Sequence, residues 1–109
     1  MLTRRSLETF LSSLFADMIG LHIQPEKITL FGSYVNGKVH EYSDIDIAVW
    51  SDKFTGHGLL DMELIRPILR KYKSIDLKMY PKDATAEDFD PFIQVVESTG
   101  RLIHLAINT

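Results

Sequence analysis

The residues of this 109-residue chain whose types and spacing suit chemistry are three aspartates and a Gly-Ser pair. Asp44 and Asp46 lie in the run Ser43-Asp44-Ile45-Asp46-Ile47-Ala48-Val49-Trp50, and Asp76 lies in Ser74-Ile75-Asp76-Leu77-Lys78-Met79-Tyr80. The first run alternates apolar and polar residues over its first half and the second does so again, the signature of a strand, and strand side chains point to alternate faces. Ile45, Ile47 and Val49 then share one face and Asp44 and Asp46 the other. Ile75, Leu77 and Met79 share one face, with Asp76 and Lys78 opposite. If the apolar faces pack on helices, the three aspartates emerge on one side of a sheet whose strands lie about 4.8 Å apart. Like charges that close repel, and a hard divalent cation relieves the conflict. Mg²⁺ is commonly held by one or two carboxylates plus substrate phosphates. Asp44, Asp46 and Asp76 are therefore the candidate metal-ligating and catalytic residues. The bland alternative for Asp-x-Asp is the wet face of a sheet.

Gly32-Ser33 follows the short apolar run Ile28-Thr29-Leu30-Phe31. Glycine after a strand lets the backbone approach a ligand closely. A helix starting there would turn its N–H groups toward a phosphate. Gly32 and Ser33 are thus candidate nucleotide-binding residues; the alternative is a plain strand-to-helix turn with Ser33 as N-cap. No Walker A loop or G-x-G-x-x-G fingerprint is present. The pair of signals is more specific than either half. Ten residues, Tyr34 to Ser43, separate the Gly-Ser turn from Asp44.

The elements that must position these residues are legible as periodicities. Leu7, Phe10, Leu11, Leu14, Phe15, Met18 and Ile19 recur at steps of three and four, one wide helix stripe with Gly20 as its stop. Ile28–Phe31 reads as a first strand, Tyr34–Gly37 as a short helix, and Lys38–Tyr42 as a polar connection. The Asp44–Asp46 strand follows, and Lys53–Gly58 is a loop. Leu59–Tyr72 is a helix carrying Leu64, Ile65, Ile68, Leu69 and Tyr72 on one side; it either kinks at Pro67 or begins there. After the Asp76 strand and an acidic loop, Pro91 fits the first position of a last helix, with Asp90 as cap and Phe92, Ile93, Val95 and Val96 toward the core. Gly100 ends it, and 101–107 offers an edge strand or a tail. This order predicts an α/β or α+β fold with a small sheet packed on helices.

Size and composition set the frame. A chain of 109 residues makes one domain, spanning 1–109, and can close a core without staples. It has no cysteines, which excludes disulfides, zinc–thiolate sites and cysteine nucleophiles, and fits a cytoplasmic setting. A net charge of −3 points away from a general nucleic-acid binder. Arg4 and Arg5 lead into a run broken by Glu8, Ser12, Ser13 and Asp17, so neither a signal peptide nor a membrane span is expected. His22, His40, His57 and His104 show no ligand spacing, and Trp50 is expected to pack. Arg66, Arg70, Lys71 and Lys73 form a basic stretch whose default is a solvated helix face. Lys78 either pairs with an aspartate or meets a phosphate.

At Phe31-Gly32-Ser33-Tyr34-Val35-Asn36-Gly37 and Ser43-Asp44-Ile45-Asp46-Ile47, the chain resembles the minimal nucleotidyltransferase (MNT) domain of the DNA polymerase β superfamily. The likeness lies in that family's Gly-Ser, ten residues, Asp-x-Asp signature. Ser74-Ile75-Asp76-Leu77 is similar to its third-carboxylate strand. The resemblance implies the nucleotidyltransferase fold, a small mixed β-sheet packed with helices. It also implies two-metal transfer of a nucleoside monophosphate, AMP from ATP, to a hydroxyl. Asp44 and Asp46 would hold both Mg²⁺ ions. Asp76 would hold the catalytic one and help deprotonate the acceptor, while Gly32 and Ser33 would grip the β- and γ-phosphates. Many relatives carry Arg or Lys where this chain has Asn36. No appended substrate domain fits in the length, so the acceptor is expected to be small or brought by another chain. Similar stand-alone domains act as antitoxins of HEPN-type (higher eukaryotes and prokaryotes nucleotide-binding) helical toxins, some by adenylylating the partner. The alternative is a catalytically weak or inactive protein of the same fold that neutralises a partner by binding.

Overall fold

The structure, a computed structural model, describes residues 3–39 and 44–103. Ser43, His40 and His104, and residues 104–107 of the expected edge strand, lie outside the described residues. The elements run α1 (Arg4–Gly20), β1 (Lys27–Phe31), α2 (Ser33–Asn36), β2 (Ile45–Ser51), α3 (Gly58–Leu64), α4 (Arg66–Lys71), β3 (Ile75–Pro81), α5 (Phe92–Thr99) and β4 (Arg101–Leu102). This is the expected order, with the Leu59–Tyr72 helix divided at Ile65, one residue before Arg66-Pro67. Proline lacks the N–H and crowds the preceding turn, so the helix restarts with Pro67 in its first turn.

The sheet has four strands in the order β3-β2-β1-β4. β1 pairs antiparallel with β2 and β4, whereas β2 and β3 run parallel. A parallel pair needs a crossover, which α3 and α4 supply. Mixed pairing places β2, which carries Asp46, at the centre and β3, which carries Asp76, at the edge beside it. The fold is α+β with a small mixed sheet, as the sequence predicts.

Both faces of the sheet carry core. On one, Ile28, Leu30, Ile45, Ile47 and Val49 pack with Leu11, Leu14, Phe15 and Met18 of α1 and with Ile65, Ile68 and Tyr72. On the other, Phe31, Ala48, Trp50 and Tyr80 pack with Ile93 and Val96 of α5. The aspartate-bearing face is therefore not simply wet: its far half is covered by α5, and only its near half is open. Trp50 does pack there, and its indole N–H donates to the Ala84 carbonyl (3.0 Å), tying down the loop before α5. Phe92 and Val95 differ from expectation: they are exposed, and only Ile93 and Val96 face inward. A single-face contact leaves room for one stripe at i and i+3, not for both pairs.

Helix ends show the local chemistry. Thr3 caps α1 by accepting from the Ser6 N–H. Gly20 is still helical; the chain leaves α1 through Leu21 and then His22, whose φ of 64° takes the left-handed position. Asp90 Oδ1 accepts the Phe92 N–H (2.9 Å), but the N-cap of α5 is Pro91 and not Asp90, so the helix begins one residue later than expected. Asp61, buried in α3, accepts from the Thr55 N–H, the Thr55 hydroxyl and the Gly56 N–H, and so fixes the loop after β2.

α1 and α4 are joined by a polar cluster. Lys71 Nζ and the Tyr72 hydroxyl both donate to Asp17 Oδ2 (2.8 and 2.5 Å), and Ser13 completes the chain with Tyr72 (2.7 Å). The hydrogen bond from Lys71, then that from Tyr72, holds the Asp17 carboxyl below its ordinary value of 3.8. A depressed folded-state pKa gives stabilisation that is present above the unfolded value and lost as pH falls through the folded one. Asp17→Asn should therefore lower Tm near neutral pH. The gap to wild type should close as the buffer is taken well below pH 3.8. Melting curves across that range check this, and a gap independent of pH would refute it.

Candidate active site

The site is assembled by register. Across the antiparallel pair Phe31 faces Asp46, and across the parallel pair Asp46 faces Asp76. Residues directly opposite share a face, so the two carboxylates are neighbours on the open half of the second face. Asp44 precedes β2 by one residue and is exposed. Asp46 is partly buried between them. Its carboxyl is held above the usual range, first by burial, then by the negative charges of Asp76 and Asp44, and by a side-chain hydrogen bond with Asp76; Lys78 opposes the shift. Asp44 is thus near enough to act on Asp46 electrostatically. Among the described residues, no three His, Asp or Glu side chains are arranged around one metal position.

Gly32 closes the site from below. It has φ 74°, ψ −151°, and a Cβ built on it would lie 2.0 Å from Asp46 Oδ2 and 2.8 Å from its Cγ. Only a residue without a side chain lets the β1 end lie against that carboxylate. Ser33 opens α2 as its first helical residue rather than as its cap. The N–H groups of Val35 and Asn36 both reach back to the Gly32 carbonyl (3.0 Å each). Gly37 ends the turn in the left-handed conformation with φ 80°. Asn36 Oδ1 accepts the Lys38 backbone N–H (3.0 Å), so this side chain stabilises the turn.

Lys78 lies two residues beyond Asp76 on the same face, with Nζ 3.7 Å from Asp76 Oδ1 and 5.8 Å from the Phe92 ring centroid. Phe92 also meets Phe31 edge-on, with centroids 5.8 Å apart. The ring of Phe92 therefore borders the carboxylates. The sequence places this residue in the core, and no spacing in it signals that an α5 side chain would reach the site.

The donor set suits a hard divalent cation. All three candidate side chains offer carboxylate oxygens. Burial first, and then the negative charges of Asp76 and Asp44, push the Asp46 carboxyl up, and a divalent ion would offset that cost. Exposure of Asp44 and Asp76 leaves room for waters and phosphate oxygens.

Gly32 and Gly37 separate close approach from backbone strain, since both have positive φ but no atom lies within 4 Å of a Cβ at Gly37. Gly37→Ala should cost about 1–2 kcal/mol for the left-handed conformation alone. Gly32→Ala should cost more, about 3 kcal/mol or above, because Asp46 must also move. Urea titration of both variants measures this; equal losses would rule out the Gly32–Asp46 contact as a constraint.

Comparison with known proteins agrees with this architecture. A family model described as a nucleotidyltransferase domain matches residues 5–109. No curated protein matches the chain. Among solved structures, the chain is similar to a toxin–antitoxin crystallised with AMP-PNP, at 28% identity and a TM-score of 0.55, covering 87% of this chain and 70% of that one. It is also similar to the toxin–antitoxin MntA–HpeT with a tyrosine-to-alanine change, at 27% identity and a TM-score of 0.56, covering 95% and 73%. A further MntA–HpeT variant, with two aspartates two positions apart changed to glutamate, is 26% identical with a TM-score of 0.53. The resemblance to the antitoxin-type minimal domain, read from Gly32-Ser33 and the aspartates, thus extends along nearly the whole chain: this protein belongs to the nucleotidyltransferase domain family.

Proposed function

We propose that this chain is a Mg²⁺-dependent nucleotidyltransferase that moves AMP from ATP onto a hydroxyl of a HEPN-type toxin partner, as the antitoxin of a toxin–antitoxin pair. The observation that carries the reading is the Asp46–Asp76 pair, side by side on adjacent strands against a glycine turn. The likeness to toxin–antitoxin structures, one crystallised with AMP-PNP, supports a toxin partner and a nucleotide ligand.

In this reading each residue has a definite task. Asp44, Asp46 and Asp76 would hold two Mg²⁺ ions, which when bound supply charge neutralisation at the phosphates and make the acceptor hydroxyl more acidic. Asp76, the half-exposed carboxylate, takes the proton of the acceptor hydroxyl as its oxygen bonds to the α-phosphorus and pyrophosphate leaves. The bare backbone at Gly32 and the Ser33 hydroxyl grip the β- and γ-phosphates. Asp46 lies against the bare backbone of Gly32, which would limit where its oxygens can go, and positioning is what phosphoryl-type transfer requires of a protein. The setting is cytoplasmic, consistent with a cysteine-free chain. Among the described residues no helix is long and apolar enough to cross a membrane.

One observation favours a second reading. Asn36 is neutral and its side chain is engaged with the backbone of Lys38, so it supplies no charge to a triphosphate. A protein that has kept the fold and neutralises its partner by contact alone fits that feature.

Incubation with ATP labelled at the α-phosphate, Mg²⁺ and a HEPN-type helical protein as acceptor separates the two. Label should pass to the partner, and Asp44→Asn, Asp46→Asn or Asp76→Asn should each reduce transfer by more than about 100-fold. No transfer, with tight complex formation by the same variants, establishes the binding-only reading instead. The metal sites have an independent check. Mn²⁺ or Mg²⁺ should raise Tm by mass action, and Asp76→Ala should reduce that rise. An undiminished rise would remove Asp76 from the metal-binding set.

A further inference from the structure

We infer that Lys78 is a movable cation of this site, neutralising the carboxylates before metal arrives and then turning to the triphosphate of the nucleotide. The inference rests on the nucleotidyltransferase reading and adds to it the source of the positive charge that Asn36 does not provide. Two observations carry it. Lys78 Nζ stands 3.7 Å from Asp76 Oδ1, close enough for an ion pair but too long for a hydrogen bond. The side chain is also 41% exposed, and its ammonium lies 5.8 Å from the centroid of the Phe92 ring.

Nothing in this arrangement locks the ammonium in place. An exposed ion pair without a hydrogen bond is worth at most about 1 kcal/mol, so releasing it costs little. A divalent ion entering between Asp46 and Asp76 brings more positive charge than Lys78 and repels it. The freed ammonium stays on the same face, held by its position on β3 and by the Phe92 ring, and a bound triphosphate is the densest negative charge that it can then meet. Strand alternation explains why the residue sits here: Asp76 and Lys78 are two apart on β3, with Ala48 opposite Lys78 offering no bulk to block it.

The arrangement predicts effects of opposite sign from one substitution. Without nucleotide, Lys78→Met should bind Mn²⁺ more tightly, by about fivefold, because a competing cation is gone. Titration of the free Mn²⁺ signal by electron paramagnetic resonance measures this. At saturating Mn²⁺ the same variant should bind AMP-PNP about tenfold more weakly in calorimetry, and Lys78→Arg should restore most of that affinity. Both shifts should shrink with added salt. A lysine that only packs or supports the fold would move neither, or both in one direction, and either result overturns the inference while leaving the transferase reading intact. Wild-type protein that binds neither Mn²⁺ nor AMP-PNP would instead overturn the transferase reading and this inference with it.

Discussion

Two carboxylates on adjacent parallel strands, with a backbone turn pressed against one of them, are the constraint around which this molecule is arranged. Asp46 and Asp76 face each other in register, and Gly32 lies so close to Asp46 that a methyl group there would overlap its Oδ2. The pair raises the Asp46 carboxyl through burial and through the neighbouring negative charges. A fold tolerates such a cluster when something positive is supplied to it. Lys78 supplies part of that charge within the chain.

The same face of the sheet serves as both core and site, and the division falls along the strands. On β2 the chain passes from half-buried Asp46 to fully buried Ala48 and Trp50 within four residues. On β3 it passes from exposed Asp76 through Lys78 to buried Tyr80. α5 covers the far half through Ile93 and Val96, and its first residue, Phe92, marks the border by touching Phe31 and standing over Lys78. The packing that anchors α5 therefore also sets how much of the carboxylate face remains open. α1, α3 and α4 hold the opposite face, so β2 is packed on one side along its length and on the other only beyond Asp46.

Much of this was legible in the sequence because local periodicity is a local property. The α1 stripe, the three strands, the Tyr34–Gly37 turn and the sharing of one face by Asp46, Asp76 and Lys78 all follow from spacing and residue type. Other features were not legible. Phe92 and Val95 are as apolar as Ile93 and Val96, and only the single contact face of α5 separates them. The left-handed exit from α1 fell to His22 although Gly20 stood two residues earlier, since the helix runs through Gly20 and closes at Leu21, whose N–H bonds back to Asp17 and Met18. Buried Asp61 reads as an ordinary polar helix residue until three donors from Thr55 and Gly56 are seen around it.

By itself, the sequence determined which residues could do chemistry and which face of each strand they occupy, since alternation at a period of two needs no knowledge of the partner strand. It also determined the family, through Gly32-Ser33 and the aspartates at their spacing. Tertiary structure alone decided that β2 and β3 are neighbours and parallel, and that Asp46 rather than Asp44 stands in register with Asp76. It also decided that Asp46 abuts Gly32, that Lys78 pairs with Asp76, and that Phe92 borders them. Pairing partner, register and helix docking are long-range choices, settled by the simultaneous burial of both sheet faces, and no window of sequence contains them.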